Sequence, residues 1–253
     1  IEDKNFGIEY NGLMFHSFGK SNSSMFNNSD KIDINYHKNK TDILEKNDFQ
    51  LFHIFENEWK TKQNIWLSMI NNKLGIYNSK IFARKCIIKE ISSFDANKFI
   101  FENHIQGIRQ AKVKLGLFYN NELVSVMTFG APNNDKNYEY ELIRFCNKLN
   151  TIVTGAASRL LKYFETNYKP KSLVTYANRR WSQGNLYNKI GFNYSHISEP
   201  NFYYFNKTNI LYSRQKFQKF KLEKLLDKYN SNLSARENMF NNGYRIIYDS
   251  GNI

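Results

Sequence analysis

The stretch FGIEYNGLMF, residues 6–15, is largely apolar and surrounds a polar centre, Glu9-Tyr10-Asn11. Apolar, strand-favouring residues on both sides of a carboxylate predict a mostly buried strand that carries Glu9. Side chains two residues apart share one face of a strand, so Glu9 and Asn11 are predicted to point the same way. Because burying an unpaired carboxylate is costly, Glu9 is predicted to have either a catalytic role or an ion-pair partner.

The elements that follow this strand alternate between loop, helix and strand. Residues 17–35, rich in Ser, Asn, Gly and Asp, predict a loop. After it we expect a short helix over 41–46 with Thr41 as its N-cap, a strand over 49–55 and an amphipathic helix over 57–74. His53 lies in the second strand and is predicted to be a hydrogen-bonded histidine of the core or of an interface.

The second part of the chain predicts a further series of strands and helices. Strands are expected within 81–91, 112–119, 122–129, 139–145 and 172–176, and again from Gly191-Phe192; helices are expected over 95–103, 156–167, 183–189 and 214–228, and a loop over 147–154. Alternating elements indicate an α/β or α+β fold. With Gly75–Lys80 as the boundary, we predict domains over 1–75 and 76–213 and a basic C-terminal helix and tail over 214–253.

Charge and apolar content narrow the class of protein. The 253 residues carry 36 Lys and Arg against 23 Asp and Glu, a net charge of +13, which predicts a polyanionic partner. The excess of basic residues lies after residue 75. AT-rich codons are an alternative explanation for the many lysines, but such codons do not favour arginine, and Arg179 and Arg180 also lie in this part of the chain. No run of eighteen apolar residues and no leader occur, so we expect a cytoplasmic protein without a membrane partner. Two cysteines, Cys86 and Cys146, are predicted to be buried free thiols.

Basic and aromatic residues alternate in two places in this basic part. Cations bind phosphates without regard to sequence, and aromatic planes stack on exposed bases. The candidate contacts to double-stranded DNA are Arg179, Arg180, Trp181, Lys216 and Lys219. For the residues of the C-terminal helix, a solvated helix face is the alternative interpretation.

Polar residues around the first strand have the composition of a phosphodiester-cleaving site. Such a site needs carboxylate oxygens for a divalent metal, a base for water and a cation near the developing charge. Glu9 and Asn11 can provide oxygens, while His16, His37 and Lys40 can provide the base and the cation. A solvated loop or helix start is the alternative for His37 and Lys40.

Three separated blocks, IEYNGLMFHS, YHKNKT and FQLFHIFENEW, resemble the very-short-patch-repair-type endonuclease domain of phage homing endonucleases, a branch of the PD-(D/E)xK nucleases. The resemblance implies that Glu9 holds Mg²⁺, with Asn11 at the usual lysine position. It also matches His16, His37 and Lys40 to the family's active-site histidines and cation. The partner aspartate would precede Ile1, so we expect the nuclease domain to be truncated at its N-terminus.

A second resemblance concerns residues 85–205. The run NTIVTGAASRLLKYF places small residues at a helix start, where backbone N–H groups can approach a phosphate, and LYNKIGF follows later. Together these motifs resemble GNAT N-acyltransferases, especially the Mom-type DNA-modification branch. The resemblance implies an acyl-CoA pyrophosphate loop at Gly155, Ala156 and Ala157 and a general-acid tyrosine at Tyr187. The loop's usual Gln or Arg position is Ile152, a departure from the family pattern.

The predicted function is therefore a Mg²⁺-dependent DNA endonuclease of the phage homing type, in which a GNAT-like domain binds DNA. Two alternatives stay open: a Mom-like DNA-modifying acyltransferase that uses acyl-CoA, and a DNA-binding remnant without activity. The predicted fold is α+β, with a restriction-endonuclease-like domain followed by a GNAT-like mixed sheet.

Overall fold

The computed structural model describes residues 1, 4–19, 31–133 and 135–253. In chain order its elements are β1 (Phe6–Asn11), α1 (Tyr36–Glu45), β2 (Gln50–Phe55), α2 (Glu56–Lys73), β3 (Ser79–Phe82), β4 (Ile87–Glu90), α3 (Ser93–Asn103), β5 (Val113–Tyr119), β6 (Glu122–Gly130), β7 (Tyr140–Asn147), β8 (Thr151–Thr154), α4 (Ala156–Tyr168), β9 (Leu173–Thr175), α5 (Asn185–Lys189), β10 (Phe202–Phe205), β11 (Tyr212–Ser213), α6 (Lys219–Leu225), α7 (Ala235–Asn241) and β12 (Arg245–Tyr248). This mixture of helices and strands confirms the predicted α+β class.

The chain forms two compact units whose limits differ from the predicted domains of 1–75, 76–213 and 214–253. Unit 1 contains residues 1–61, 177–184 and 194–253, and unit 2 contains 62–176 and 185–193. The first boundary lies inside α2, where Lys62 has the non-helical angles φ −136 and ψ 31. The apolar periodicity of the sequence could not locate this boundary, because the helical spacing of apolar residues continues on both sides of Lys62.

Unit 1 is built from two small sheets. β1 and β2 pair in parallel, and α1 connects them, as a parallel pair requires. The other sheet has the order β11-β10-β12 with antiparallel pairing. Its core contains aromatic and aliphatic side chains from the C-terminal elements, namely Tyr204, Phe217, Leu222, Leu226, Met239, Ile246 and Tyr248.

The predicted C-terminal helix over 214–228 is interrupted. A 3-10 turn over Arg214–Phe217 is followed by an extended residue, Gln218, before α6 begins. At 100° per residue, Phe217 and Leu222 would lie about 140° apart around one continuous helix. The break lets both side chains enter the same core, where they are 4% and 0% exposed.

Unit 2 contains a five-stranded sheet in the order β4-β5-β6-β7-β9 and a two-stranded sheet, β3-β8. The pairs β4-β5, β5-β6 and β6-β7 are antiparallel, whereas β7 and β9 are parallel. The predicted turn between β5 and β6 is confirmed: Asn120 and Asn121 both have positive φ, as a tight hairpin requires. Helix α4 buries Leu160, Leu161 and Phe164, and the Phe164 ring stacks on Phe129 at 3.7 Å.

Several local predictions differ from the structure. The strand predicted over 6–15 ends at Asn11, the predicted loop over 147–154 contains β8, and no strand begins at Gly191-Phe192. Thr41 lies inside α1 and is not its N-cap. The predicted loop over 17–35 lies partly outside the described residues, at positions 20–30. Cys86 and Cys146 are buried free thiols, as predicted. No helix among the described residues has the length and apolar content needed to cross a membrane.

Candidate functional site

The parallel pairing of β1 and β2 determines the position of the candidate site in unit 1. In this register Glu9 lies beside His53. Glu9 and Asn11 share one face of β1, as predicted. The chain turns directly after the strand, and the His16 backbone N–H donates to the Gly12 carbonyl at 3.0 Å. The structure thus brings all five predicted residues, Glu9, Asn11, His16, His37 and Lys40, into one cluster with His53.

An ion pair between Glu9 and Lys40 lies at the centre of this cluster. The Lys40 ammonium donates to Glu9 Oε1 and, at 2.9 Å, to the hydroxyl of Tyr36, one turn earlier on α1. Burial alone would raise the pKa of Glu9, but hydrogen bonds from His53 and Lys40 outweigh it and lower the pKa to about 2. Burial opposes the charge on Lys40, yet its bonds to Glu9 and Tyr36 raise its pKa. Both groups are therefore charged near neutral pH.

His53 contacts the second carboxylate oxygen of Glu9. Its Nδ1 lies 2.9 Å from Glu9 Oε2, and its Nε2 lies 2.9 Å from the Thr41 hydroxyl. A carboxylate only accepts hydrogen bonds, so Nδ1 carries the proton and Nε2 accepts one from Thr41. Burial lowers the pKa of His53, which is fully enclosed, and keeps the ring neutral. Ser250, also fully buried, lies 3.0 Å from Thr41 and completes this chain of contacts.

His37 and Asn11 form a second buried pair. His37 Nε2 lies 3.2 Å from the Asn11 side-chain oxygen, to which it donates because an amide oxygen only accepts. His37 is 1% exposed, and burial lowers its pKa well below the usual value for histidine. The solvated-loop alternative for His37 is therefore wrong: this ring is a neutral, oriented part of the interior.

His16 differs from the other two histidines because its side chain is only partly buried. Its ring stacks on His37 at 5.6 Å and meets Tyr36 edge-on at 5.7 Å. Burial lowers the pKa of His16, although the charge of Glu9 opposes this effect. His16 Nδ1 is buried and has no hydrogen-bond partner among the described residues. A neutral imidazole on a partly exposed side chain is a suitable proton acceptor.

A divalent metal has an incomplete set of ligands at this cluster. Mg²⁺ prefers several oxygen ligands in octahedral geometry. Glu9 contributes the carboxylate here, and its two oxygens already contact Lys40 and His53. Within residues 1, 4–19, 31–133 and 135–253, no three His, Cys, Asp or Glu side chains are grouped to hold a metal. The described residues therefore do not fit a complete Mg²⁺ site.

Three residues of the site, His53, Tyr36 and Thr41, had no predicted role in it. His53 was expected to be a hydrogen-bonded buried histidine, which is confirmed, but its contact with Glu9 was not foreseen. Tyr36 and Thr41 were also missed. The available signal was helical spacing, because Tyr36 and Lys40 are four residues apart, as are His37 and Thr41, and such pairs share a helix face.

Two predicted DNA contacts, Arg179 and Arg180, are buried inside unit 1. The Arg179 guanidinium pairs with Asp42 at 2.7 Å and with Glu45, and that of Arg180 forms two 2.8 Å hydrogen bonds with Glu58. Their side chains are 1% and 4% exposed. This burial contradicts their predicted role in contacting DNA, because neutralised interior cations are not available to phosphates.

The other predicted DNA contacts have different surroundings. The Trp181 ring is half-buried and lies 4.8 Å from the guanidinium of Arg180. Lys216 and Lys219 are exposed, and the Lys216 ammonium lies 4.2 Å from the ring of Tyr212. Their exposure is compatible with phosphate contacts, which remain a prediction.

The predicted acyl-CoA residues lie in unit 2. Gly155 is the residue before α4 and has φ +80, a backbone conformation that favours glycine. Ala156 and Ala157 are buried, whereas Gly155 and Ser158 are exposed at the helix start. Tyr187 packs against the core of this unit, and burial raises its pKa. The start of α4 therefore presents Gly155 and Ser158 to solvent, while the two alanines between them pack into the core.

Comparisons with known proteins identify no family for this chain. No protein-family model matches it, and no curated protein matches it significantly. The geometry of the cluster around Glu9 is therefore the basis for a functional proposal.

We predict that Glu9 makes the stability of the protein depend on pH. Its folded-state pKa of about 2 is below the ordinary 4.5, so its contribution is full above that ordinary value and is lost as pH falls toward 2. Glu9→Gln should lower the free energy of unfolding by roughly 2 kcal/mol at pH 7 and by much less near pH 2. Urea denaturation of both proteins across this range measures the difference; parallel curves would contradict the prediction.

A second prediction concerns the buried pair Arg180–Glu58. Glu58→Gln leaves the Arg180 charge buried without its carboxylate, so we expect a loss of about 3–5 kcal/mol in the free energy of unfolding. The matched control is Glu122→Gln, because Glu122 and its partner Lys148 are 57% and 45% exposed. The Glu122→Gln substitution should lower the free energy of unfolding by less than about 1 kcal/mol. Equal losses in the two variants, measured by urea denaturation, would show that Arg180 is solvated.

Proposed function

We propose that unit 1 is a DNA endonuclease that hydrolyses phosphodiester bonds. The observation that supports this proposal is a neutral, partly exposed histidine, His16, in the same cluster as the Lys40–Glu9 ion pair. Phosphodiester hydrolysis needs a proton acceptor for water and a cation for the charge that develops on phosphate. These residues supply both groups.

In the proposed reaction, a water oxygen attacks the phosphorus atom while the imidazole ring of His16 accepts the water proton. A new P–O bond forms, the bond to the leaving sugar oxygen breaks, and the proton is delivered to that oxygen. Lys40 stabilises the additional negative charge on the non-bridging oxygens. The products are a phosphate monoester and a free hydroxyl group.

The remaining residues hold these two groups in place. Glu9 and Tyr36 orient the Lys40 ammonium, and His37 supports the ring of His16 by stacking. His53 is a positioning residue, because its Nδ1 proton fixes the second oxygen of Glu9. Groups restrained in this way need little rearrangement when the reaction occurs.

A Mg²⁺ requirement remains part of the proposal through the resemblance to PD-(D/E)xK nucleases. Glu9 is the residue that would contact the ion, and Mg²⁺ would supply Lewis-acid stabilisation of the phosphate when bound. Since the described residues do not complete its ligand set, the roles given above are assigned to side chains alone. Activity measured with Mg²⁺ and with a chelator decides whether the metal is needed.

Double-stranded DNA is the proposed substrate. The net charge of +13 attracts a polyanion, and Lys216 and Lys219 are exposed cations of unit 1, the unit that contains the cluster. Contacts from such lysines neutralise phosphates without reading base sequence. They would supply affinity for DNA and orient the duplex.

Nicking of supercoiled plasmid by the purified chain tests the nuclease proposal. His16→Ala and Lys40→Ala should each lower the nicking rate about 100-fold or more, because each removes a group that acts in the transition state. Lys38→Ala is the matched control, since it removes a cation from the same helix that pairs with Asp42. It should change the rate less than about twofold.

Two results would contradict the nuclease proposal. Equal nicking by wild type, His16→Ala and Lys40→Ala would assign any activity to a contaminant. Salt-sensitive DNA binding without nicking, with Mg²⁺ present, would favour the non-enzymatic alternative. Circular dichroism of each variant distinguishes a lost catalytic group from a lost fold.

A Mom-like acyltransferase is a second candidate, favoured by the open start of α4. No side chain caps this helix end, and its first turn contains no acidic residue that would repel a pyrophosphate. If acyl-CoA binds there, calorimetric titration gives a saturable heat that Ser158→Glu abolishes by adding a carboxylate to the first turn. Ser93→Glu, a matched control at an exposed serine in the first turn of α3, should leave that heat unchanged. If acyl-CoA gives no binding heat, or a heat that Ser158→Glu does not change, the acyltransferase candidate is rejected.

A further inference from the structure

Exposed cations are concentrated in β3, the 3-10 turn over Ala83–Lys85 and β4 of unit 2. Side chains in this segment alternate between interior and surface, and Ile81, Ala83 and Cys86 are buried. The exposed cations of this segment, Lys80, Arg84, Lys85 and Lys89, together with the exposed ring of Phe82, define the basic strip; Ser79, Ile87 and Glu90 are exposed beside them.

The cations of the basic strip lack carboxylate partners. Across the part of the chain that the structure describes, no Asp or Glu oxygen lies within 4 Å of any of the four. The segment's own carboxylate, Glu90, instead accepts a hydrogen bond from the Tyr168 hydroxyl. Elsewhere in unit 2, by contrast, Arg109 and Lys148 are paired with carboxylates. Four like charges within ten residues repel one another, so an external anion would stabilise them.

An aromatic ring is interleaved with these cations. Phe82 is 39% exposed, and the Arg84 guanidinium and the Lys80 ammonium lie 5.2 Å and 5.9 Å from its centroid. Lys89 lies 5.1 Å from the ring of Phe118. These contacts hold flexible side chains against the sheet and lower the entropy that binding would cost.

We propose that the basic strip is a second DNA-binding surface, which contacts the phosphate backbone separately from Lys216 and Lys219. The four cations lie within ten residues of the chain, and a duplex presents one negative charge per about 1.7 Å along its axis. Cations that are close together in this way and lack carboxylate partners can neutralise neighbouring phosphates of one duplex. The choice of DNA rests on the proposed nuclease function, and the two proposals are tested separately below.

The test compares two triple variants of the full chain that carry the same change in charge. Lys80→Gln/Arg84→Gln/Lys89→Gln alters the basic strip, and Lys162→Gln/Lys171→Gln/Lys189→Gln alters exposed lysines elsewhere in unit 2. Fluorescence anisotropy measures binding to a 30-base-pair duplex in EDTA at several salt concentrations. The strip variant should bind about ten- to a hundredfold more weakly, with a log-log salt slope smaller by about 2–3, whereas the control should change less than about threefold.

Three results would overturn the basic strip as a DNA-binding surface. Wild-type affinity in the strip variant would show that its cations do not contact DNA, and equal losses in both variants would show that only total charge matters. Loss of binding to phosphatidylserine vesicles, with duplex binding unchanged, would assign the strip to a membrane surface. The nuclease proposal is judged apart from these results, because Lys40→Ala should abolish nicking while leaving the salt slope unchanged within one unit.

Discussion

The ion pair between Glu9 and Lys40 is the interaction on which the candidate site depends. One carboxylate has two roles: its first oxygen holds the Lys40 ammonium, and its second fixes the protonated nitrogen of His53. Because His16, His37 and His53 all have pKa values lowered by burial, Lys40 is the positive member of this group at neutral pH. Neutral rings avoid repelling that cation, so a single permanent ion pair can exist beside three imidazoles.

Much of this site could be predicted from local sequence patterns. Glu9 and Asn11 share a face because strand side chains alternate. The cost of burying an unpaired carboxylate predicted either a catalytic role or an ion-pair partner for Glu9, and the structure shows the ion pair. The hairpin at Asn120-Asn121 and the start of α4 at Ala156 followed from turn and helix-start chemistry, which depends on neighbouring residues. These features were accessible because the forces that produce them act within a few positions along the chain.

Features produced by distant residues could not be predicted in this way. The register that places Glu9 beside His53 depends on pairing between two strands, and β8 exists because it pairs with β3. Arg179 and Arg180 have the composition of a surface motif, yet carboxylates from α1 and α2 enclose them. A single sequence does not show whether an arginine pairs with a carboxylate inside the protein or with a phosphate of a ligand, because both anions form the same kind of ion pair with it. Unit 1 is formed by segments that are far apart in the sequence, and this was not predicted because it also depends on contacts between distant residues.

The contact between Thr41 and Ser250 has a consequence for biosynthesis. The two residues are separated by 209 positions, and the segment between them includes all of unit 2. A ribosome that adds roughly 5–20 residues per second needs about 10–40 s to synthesise that segment. During this interval, the hydroxyl group that supports His53 through Thr41 has not yet been made. The nascent chain therefore cannot assemble the finished arrangement around Glu9 early in translation, and its maturation waits for the ribosome to reach β12 and Ser250.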